Sequence, residues 1–169
     1  MQKLTARDMA QIAVVAAVYV VLTVTPPFNV ISFGAVQFRI AEMLNFTAFY
    51  NKKYIIGVTL GCVIANFFSP MLIDVLVGGG STLVFLTLGV VLFGKFKDRF
   101  ILGGLMRLDH FYFSLFFSLS MVTIAAELHF LMGAPFFFTW LTTAAGELAS
   151  LLIGALLINR LAAYIDLTQ

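Results

Sequence analysis

Apolar residues run through this chain in blocks long enough to cross a lipid bilayer, and that spacing rules out a water-soluble fold. A spanning helix takes about 20 mostly apolar residues. Six segments qualify, at roughly 9–25, 36–50, 54–69, 75–94, 108–126 and 138–159. Mean hydropathy is +1.05 and only 11% of residues are charged, against about 25% in ordinary globular proteins. So much apolar surface has no place in water. The expectation is an all-α membrane protein, a single domain of six transmembrane helices over residues 1–169.

Charge placement orients such a bundle. With the N-terminus inside, Lys3, Arg7, Lys52, Lys53, Lys95, Lys97, Arg99, Arg107 and Arg160 all fall at cytoplasmic ends, as the positive-inside rule asks. Pro26, Pro27, Pro70 and Pro135 each follow an odd-numbered span, where a helix has to stop. Both termini are therefore expected in the cytoplasm. The first apolar run follows Lys3 and Arg7 and ends at Pro26-Pro27 with no small-residue cleavage site, so it reads as a retained span rather than a signal peptide.

Dispersed positive charge gives no stripe for nucleic acid. A lone Cys62 makes no internal disulfide. His110 and His129 sit near opposite faces of the membrane and match no zinc spacing. No metal site is expected, and no nucleophile–base pair suggests an intramembrane enzyme.

The chemistry is concentrated at 36–46, where Gln37, Arg39, Glu42 and Asn45 interrupt an apolar stretch. A charge at the bilayer centre costs about 2.5–3.5 kcal/mol on insertion scales, so such groups need internal partners or water. Arg39 and Glu42, three apart, pair if the stretch is α-helical. They read either as a structural ion pair or as part of a polar ligand site. Glu42, Asp74, Glu127 and Glu147 map to the outer half with Arg39 as their neighbouring cation. A site there prefers ligands rich in donors or positive charge.

Other polar faces point the same way. Thr59, Cys62, Asn66 and Ser69 share one face of the third span, as helix–helix contacts or, for Asn66, as a ligand contact. Gly78-Gly79-Gly80 permits a ligand-facing bend carrying Asp74 and Thr82. No lysine follows these glycines, so this is not a phosphate loop. Gly146, Ser150 and Gly154 form a small-residue seam beside Glu147, with Trp140 and Phe136–Phe138 outside it as an interfacial belt or a stacking wall. Ala6, Ala10, Ala13 and Ala17 make a flat strip on the first span, for packing in the bundle or for docking another membrane subunit.

The chain resembles the QueT family of queuosine-precursor transporters, substrate-binding S components of energy-coupling factor (ECF) transporters. The resemblance rests on Val-Gln-Phe-Arg-Ile-Ala-Glu-Met-Leu at 36–44, on Gly57, Gly61, Ala65 and Asn66, on Asp74, Gly78 and Thr82, and on Gly146-Glu147. It implies an S-component-like six-helix bundle in a bacterial plasma membrane, with an outward-side pocket for queuine or a related 7-deazaguanine. It also implies a transmembrane coupling subunit, docked at the alanine strip, and two cytoplasmic ATPases that use the ATP; this chain would bind no cofactor. Glu42 and Glu147 suit the N1–H and 2-amino donors of the base. Arg39, Gln37, Asn45 and Asn66 offer donors to its carbonyl, an aminomethyl arm would want a second acid, Asp74 and Thr82 are further candidate contacts, and Trp140 is a possible stacker. The alternatives are an S component for another vitamin and a stand-alone ion-coupled carrier.

Overall fold

The computed structural model describes residues 4–34 and 36–168; Lys3 lies outside them. Among the described residues the regular structure is helical apart from one hairpin of two two-residue strands. Helix α1 (Ala6–Val24) starts at a capping box in which Thr5 and Asp8 satisfy each other's backbone N–H groups. It stops at Thr25, just ahead of Pro26 and Pro27. A short α2 (Phe28–Ser32) leads to a 3-10 segment at Ile40–Phe49, followed by α3 (Tyr54–Asn66) and α4 (Asp74–Phe93). Strands β1 (Phe100–Ile101) and β2 (Met106–Arg107) pair antiparallel. They lead to α5 (Leu108–Leu119), α6 (Val122–Met132) and α7 (Phe136–Leu161).

This corrects the expected architecture. Among the described residues four helical stretches, not six, are long and apolar enough to cross a membrane: Ala6–Val24, Asp74–Phe96, Leu108–Met132 and Phe136–Leu161. The expected span at 36–50 is extended chain and then ten residues of 3-10 helix, about 20 Å long at a rise near 2.0 Å per residue. The expected span at 54–69 is the 13-residue α3, also about 20 Å, where a bilayer core is about 30 Å thick. The expected span at 108–126 runs on to Met132 and breaks between α5 and α6 at Ser120-Met121. Hydropathy cannot separate a spanning helix from an apolar segment wrapped in protein. The 3-10 segment is the second kind: seven of its residues, including Glu42, Asn45 and Thr47, are buried. Irregular backbone is tolerated at membrane depth where protein encloses it.

Glycines let that wrapping happen. A Cβ on Gly61 would overlap Tyr19, and one on Gly57 would press on the Ile12 carbonyl, so α1 and α3 meet backbone to backbone. Gly146 and Gly154 of α7 receive Val36 and Met43 in the same way. Between them the Ser150 hydroxyl donates to the Arg39 carbonyl at 2.5 Å. The small-residue seam of α7 thus holds the polar stretch rather than a regular helix.

One end of the bundle gathers both ends of the chain. Lys53 Nζ donates to Asp8 Oδ1 at 2.7 Å and to Gln11 Oε1 at 2.6 Å, and Asn51 donates to the Thr168 carbonyl at 3.0 Å. Arg107 forks onto Asp109 at 3.1 and 2.5 Å and lies 4.5 Å from the Tyr50 ring centroid. His110 is buried against Phe46, Phe49 and Tyr50. At the other end lie the α3–α4 connection and the α6–α7 turn. Exposed apolar side chains such as Leu76, Phe130 and Phe137 face outward along the helices, as a lipid-facing surface requires.

Candidate ligand-binding cleft

The site begins with the backbone of 33–45. Gln37 has φ 50 and Arg39 is extended before the 3-10 turn begins at Ile40. Arg39 and Glu42 are therefore not on one α-helical face. Arg39 Nε donates to the Ser32 carbonyl at 3.3 Å, and its guanidinium lies 5.4 Å from the Phe33 ring centroid. Glu42 instead accepts the Tyr19 hydroxyl at 2.5 Å and Asn45 Nδ2 at 2.6 Å. Among the described residues the ion pairs within 4.0 Å are Lys53–Asp8, Arg107–Asp109 and His110–Asp109, and none includes Arg39. Arg39 acts on Glu42 and Glu147 through space, as the cation both acids feel.

These side chains line a narrow cleft of about 10 Å³, room for about one water molecule. Gln37, Arg39, Glu42, Thr82 and Glu147 form its polar wall. Phe117, Met121 and Ile124, from either side of the α5–α6 break, form an apolar wall, and Gly78 and Ser81 of α4 close the third side. Glu147 is 1% exposed, and its Oε1 has no hydrogen-bond partner. A buried acceptor left unsatisfied costs about 1–3 kcal/mol, more when it is charged. A ligand donor in the cleft would remove that cost. Outside lies a wider vestibule of about 250 Å³, bordered by Phe33, Ser69, Met71, Asp74, Leu128 and Met132. Gln37 borders both spaces and stands at the throat between them.

The structure thus brings Gln37, Arg39, Glu42, Thr82 and Glu147 together. Asn45 lies behind Glu42. Asn66 lies behind Gly78, where its amide donates to the Asp74 carbonyl at 2.9 Å and ties α3 to α4. Asp74 borders the vestibule and accepts the Ser69 hydroxyl. Trp140 borders neither space; its indole N–H donates to the Leu119 carbonyl at 3.1 Å and so braces the α5–α6 break. The three glycines do not bend the chain, because Gly78–Gly80 lie inside the continuous α4. Ala6, Ala10, Ala13 and Ala17 are all exposed on the outer side of α1.

Sequence reasoning passed over Tyr19, Ser81 and the apolar wall. Tyr19 carried a signal: it falls in the Ile12, Ala16, Tyr19, Thr23 spacing of the inward face of α1, as a phenol with no place in lipid. The helix break at Ser120-Met121 contains neither Pro nor Gly and announces itself only in three dimensions. Among the described residues no group of three His, Cys, Asp or Glu side chains could hold a metal.

In a multi-pass helical membrane protein, ionisable residues buried at membrane depth mark a functional site. Residues 9–163 match the family model described as QueT, QueT transporter. The chain belongs to the QueT transporter family, and it is a transporter family member rather than an enzyme. It is similar to "Queuosine precursor transporter QueT" of Lactococcus lactis subsp. cremoris (strain MG1363), with 54% identity over 169 residues, 100% of each chain. No solved structure matches it significantly.

Proposed function

We propose that this protein is the substrate-binding subunit of an ECF-type importer and that it takes up a 7-deazaguanine precursor of queuosine. The observation that carries the reading is the pair of buried carboxylates in the cleft, Glu42 held by Tyr19 and Asn45, and Glu147 with an oxygen unspoken for. A 7-deazaguanine offers N1–H and a 2-amino group on one edge, two donors that match a carboxylate. Its carbonyl wants a donor, which Arg39 or Gln37 supplies. Its flat ring would lie against the apolar wall once the narrow cleft widens, and Phe117 stands in that wall for it. The name of the Lactococcus relative agrees with this substrate class.

Transport energy comes from outside the chain in this reading: a transmembrane coupling subunit and two cytoplasmic ATPases. The exposed alanines at 6, 10, 13 and 17 support docking of the coupling subunit on α1, since small side chains admit a second helix closely. The test is a native pull-down of the full-length protein from membranes, with mass spectrometry reading subunits and ligand together. Recovery of an ATPase module with a 7-deazapurine is expected, and Ala13→Trp should lose the module while keeping the ligand. Uptake driven by a proton gradient with no ATPase attached would contradict the proposal.

A further inference from the structure

The basic end of the bundle holds a pocket that the proposed function leaves unused. It has a volume of about 360 Å³, more than the cleft or the vestibule. Its apolar lining includes Phe49, Tyr50, Val90 and Val91, its charged lining is Lys52 and Lys95, and no acid borders it. Lys52 lies in the turn between the 3-10 segment and α3, and Lys95 in the 3-10 turn Gly94–Phe96 that ends α4.

The aromatic wall is fixed from behind. Phe49 packs on His110 and Phe113, with ring centroids 5.6 and 5.2 Å away, and the Arg107 guanidinium stands 4.5 Å from the Tyr50 ring. The acids of this end are engaged elsewhere: Asp8 with Lys53, Asp109 with Arg107, and Asp166 with Thr168. Asp98 is exposed and does not line the pocket. Among the described residues the ion pairs within 4.0 Å include neither Lys52 nor Lys95. The Phe96 ring instead gathers Lys95 and Arg99, at 5.1 and 5.9 Å from its centroid, so a third cation stands close by.

A lysine at a helix end reaches toward the headgroup layer wherever it occurs. Here the two lysines share an enclosed space, and that space continues onto a lipid-facing surface. Val84, Leu88 and Val91 recur at intervals of four and three on one face of α4, and all three are exposed. Val91 also lines the pocket. A phosphate accepts charge-assisted hydrogen bonds from both ammonium groups, and a hydrocarbon chain attached to it has the stripe on α4 to follow. The ammonium of a zwitterionic headgroup would find no carboxylate in the pocket. Basic pockets between membrane helices suit anionic headgroups for this reason.

We infer that Lys52 and Lys95 hold the phosphate of an anionic phospholipid, with one acyl chain laid along Val91, Leu88 and Val84 of α4. This site is independent of what the cleft carries. Purified full-length protein is equilibrated in mixed micelles holding phosphatidylglycerol and phosphatidylcholine in equal amounts, and native mass spectrometry reads the lipid that stays bound. Wild type should retain phosphatidylglycerol over phosphatidylcholine by about tenfold or more, since one lysine near anionic headgroups accounts for about fivefold. Lys52→Gln and Lys95→Gln should each cut that preference by about fivefold, and the double variant should abolish it. Lys97→Gln removes a charge from the same end but not from the pocket, and it should leave the preference unchanged. The readout is a ratio within each variant, so partial loss of folded protein does not mimic the effect. Equal retention of the two lipids by wild type overturns the site. So does a preference that survives in the double variant, or one that falls as far in Lys97→Gln, because the lipid would then answer only to the net charge of this end. Displacement of the lipid by millimolar inorganic phosphate would overturn it in favour of a free anion. A double variant that keeps its lipid preference but loses the ATPase module in the pull-down would assign the pocket to a protein partner instead.

Discussion

At the scale of single residues, the site depends on how Glu42 is held. Tyr19 is fully buried and gives its hydroxyl proton to Glu42 at 2.5 Å. Hydrogen bonds to charged groups contribute about 1.5–3 kcal/mol net. Tyr19→Phe keeps the ring and removes only the donor. It should weaken binding of a 7-deazaguanine by about tenfold, the scale those energies imply, and lower thermal stability by about 1–3 kcal/mol because Glu42 Oε1 loses its donor, measured by calorimetry on the purified protein. Unchanged affinity would mean that Glu42 needs no help to meet its ligand. Glu147 was legible in the sequence because an acid in an apolar helix has to be satisfied somehow. Tyr19 was legible only by its place in the Ile12, Ala16, Tyr19, Thr23 spacing, because a phenol in a membrane helix has the interfacial belt as an ordinary home, and the α1–α3 contact shows which way it points.

At the scale of elements, α1 and α3 are joined through Gly57 and Gly61. A Cβ at Gly61 would come within 2.6 Å of the Tyr19 Cβ. Overpacking of this kind costs about 1–3 kcal/mol. Gly61→Val should lower the melting temperature and impair ligand binding together, since it displaces the helix that carries Tyr19. Gly80 makes the control: a Cβ there meets nothing within 4 Å. Gly80→Ala should be neutral or stabilising by about 0.5–1 kcal/mol, the ordinary gain of removing glycine from a helix. Equal melting temperatures for wild type and Gly61→Val would show that the two helices are not packed as described. The same elements show where sequence reading stops. The Gly57, Gly61 and Gly146, Gly154 spacings were visible as places of close approach. What approaches the α7 seam is not a spanning helix but a 3-10 segment, and no composition distinguishes Ile40–Phe49 from a membrane helix until its burial is known.

For the whole molecule, four long apolar helical stretches among the described residues can cross a membrane; the 3-10 segment is enclosed among them, while α3 keeps Ile56, Leu60 and Ile64 exposed on one face. The cleft lies where regular structure fails: beside the extended chain at Gln37 to Arg39, and beside the α5–α6 break at Ser120-Met121. Broken backbone at membrane depth is sustainable only around protein or a cavity, and interrupted helices commonly mark the binding sites of membrane transporters. Hydropathy identified a multi-pass membrane protein, and the acids of its outer half suggested a ligand rich in donors. The count of spanning helices was overestimated because the enclosed 3-10 segment looks like a spanning helix in sequence and the 54–69 stretch yields only the 13-residue α3. The central claim is that buried carboxylates in this cleft read the donor edge of a 7-deazaguanine. Its most direct test is equilibrium binding of that base to purified wild type and to Glu147→Gln. The account predicts saturable binding to wild type and a loss of more than about tenfold in the variant, as expected when a charged acceptor is replaced. Equal affinity for the two proteins would contradict it.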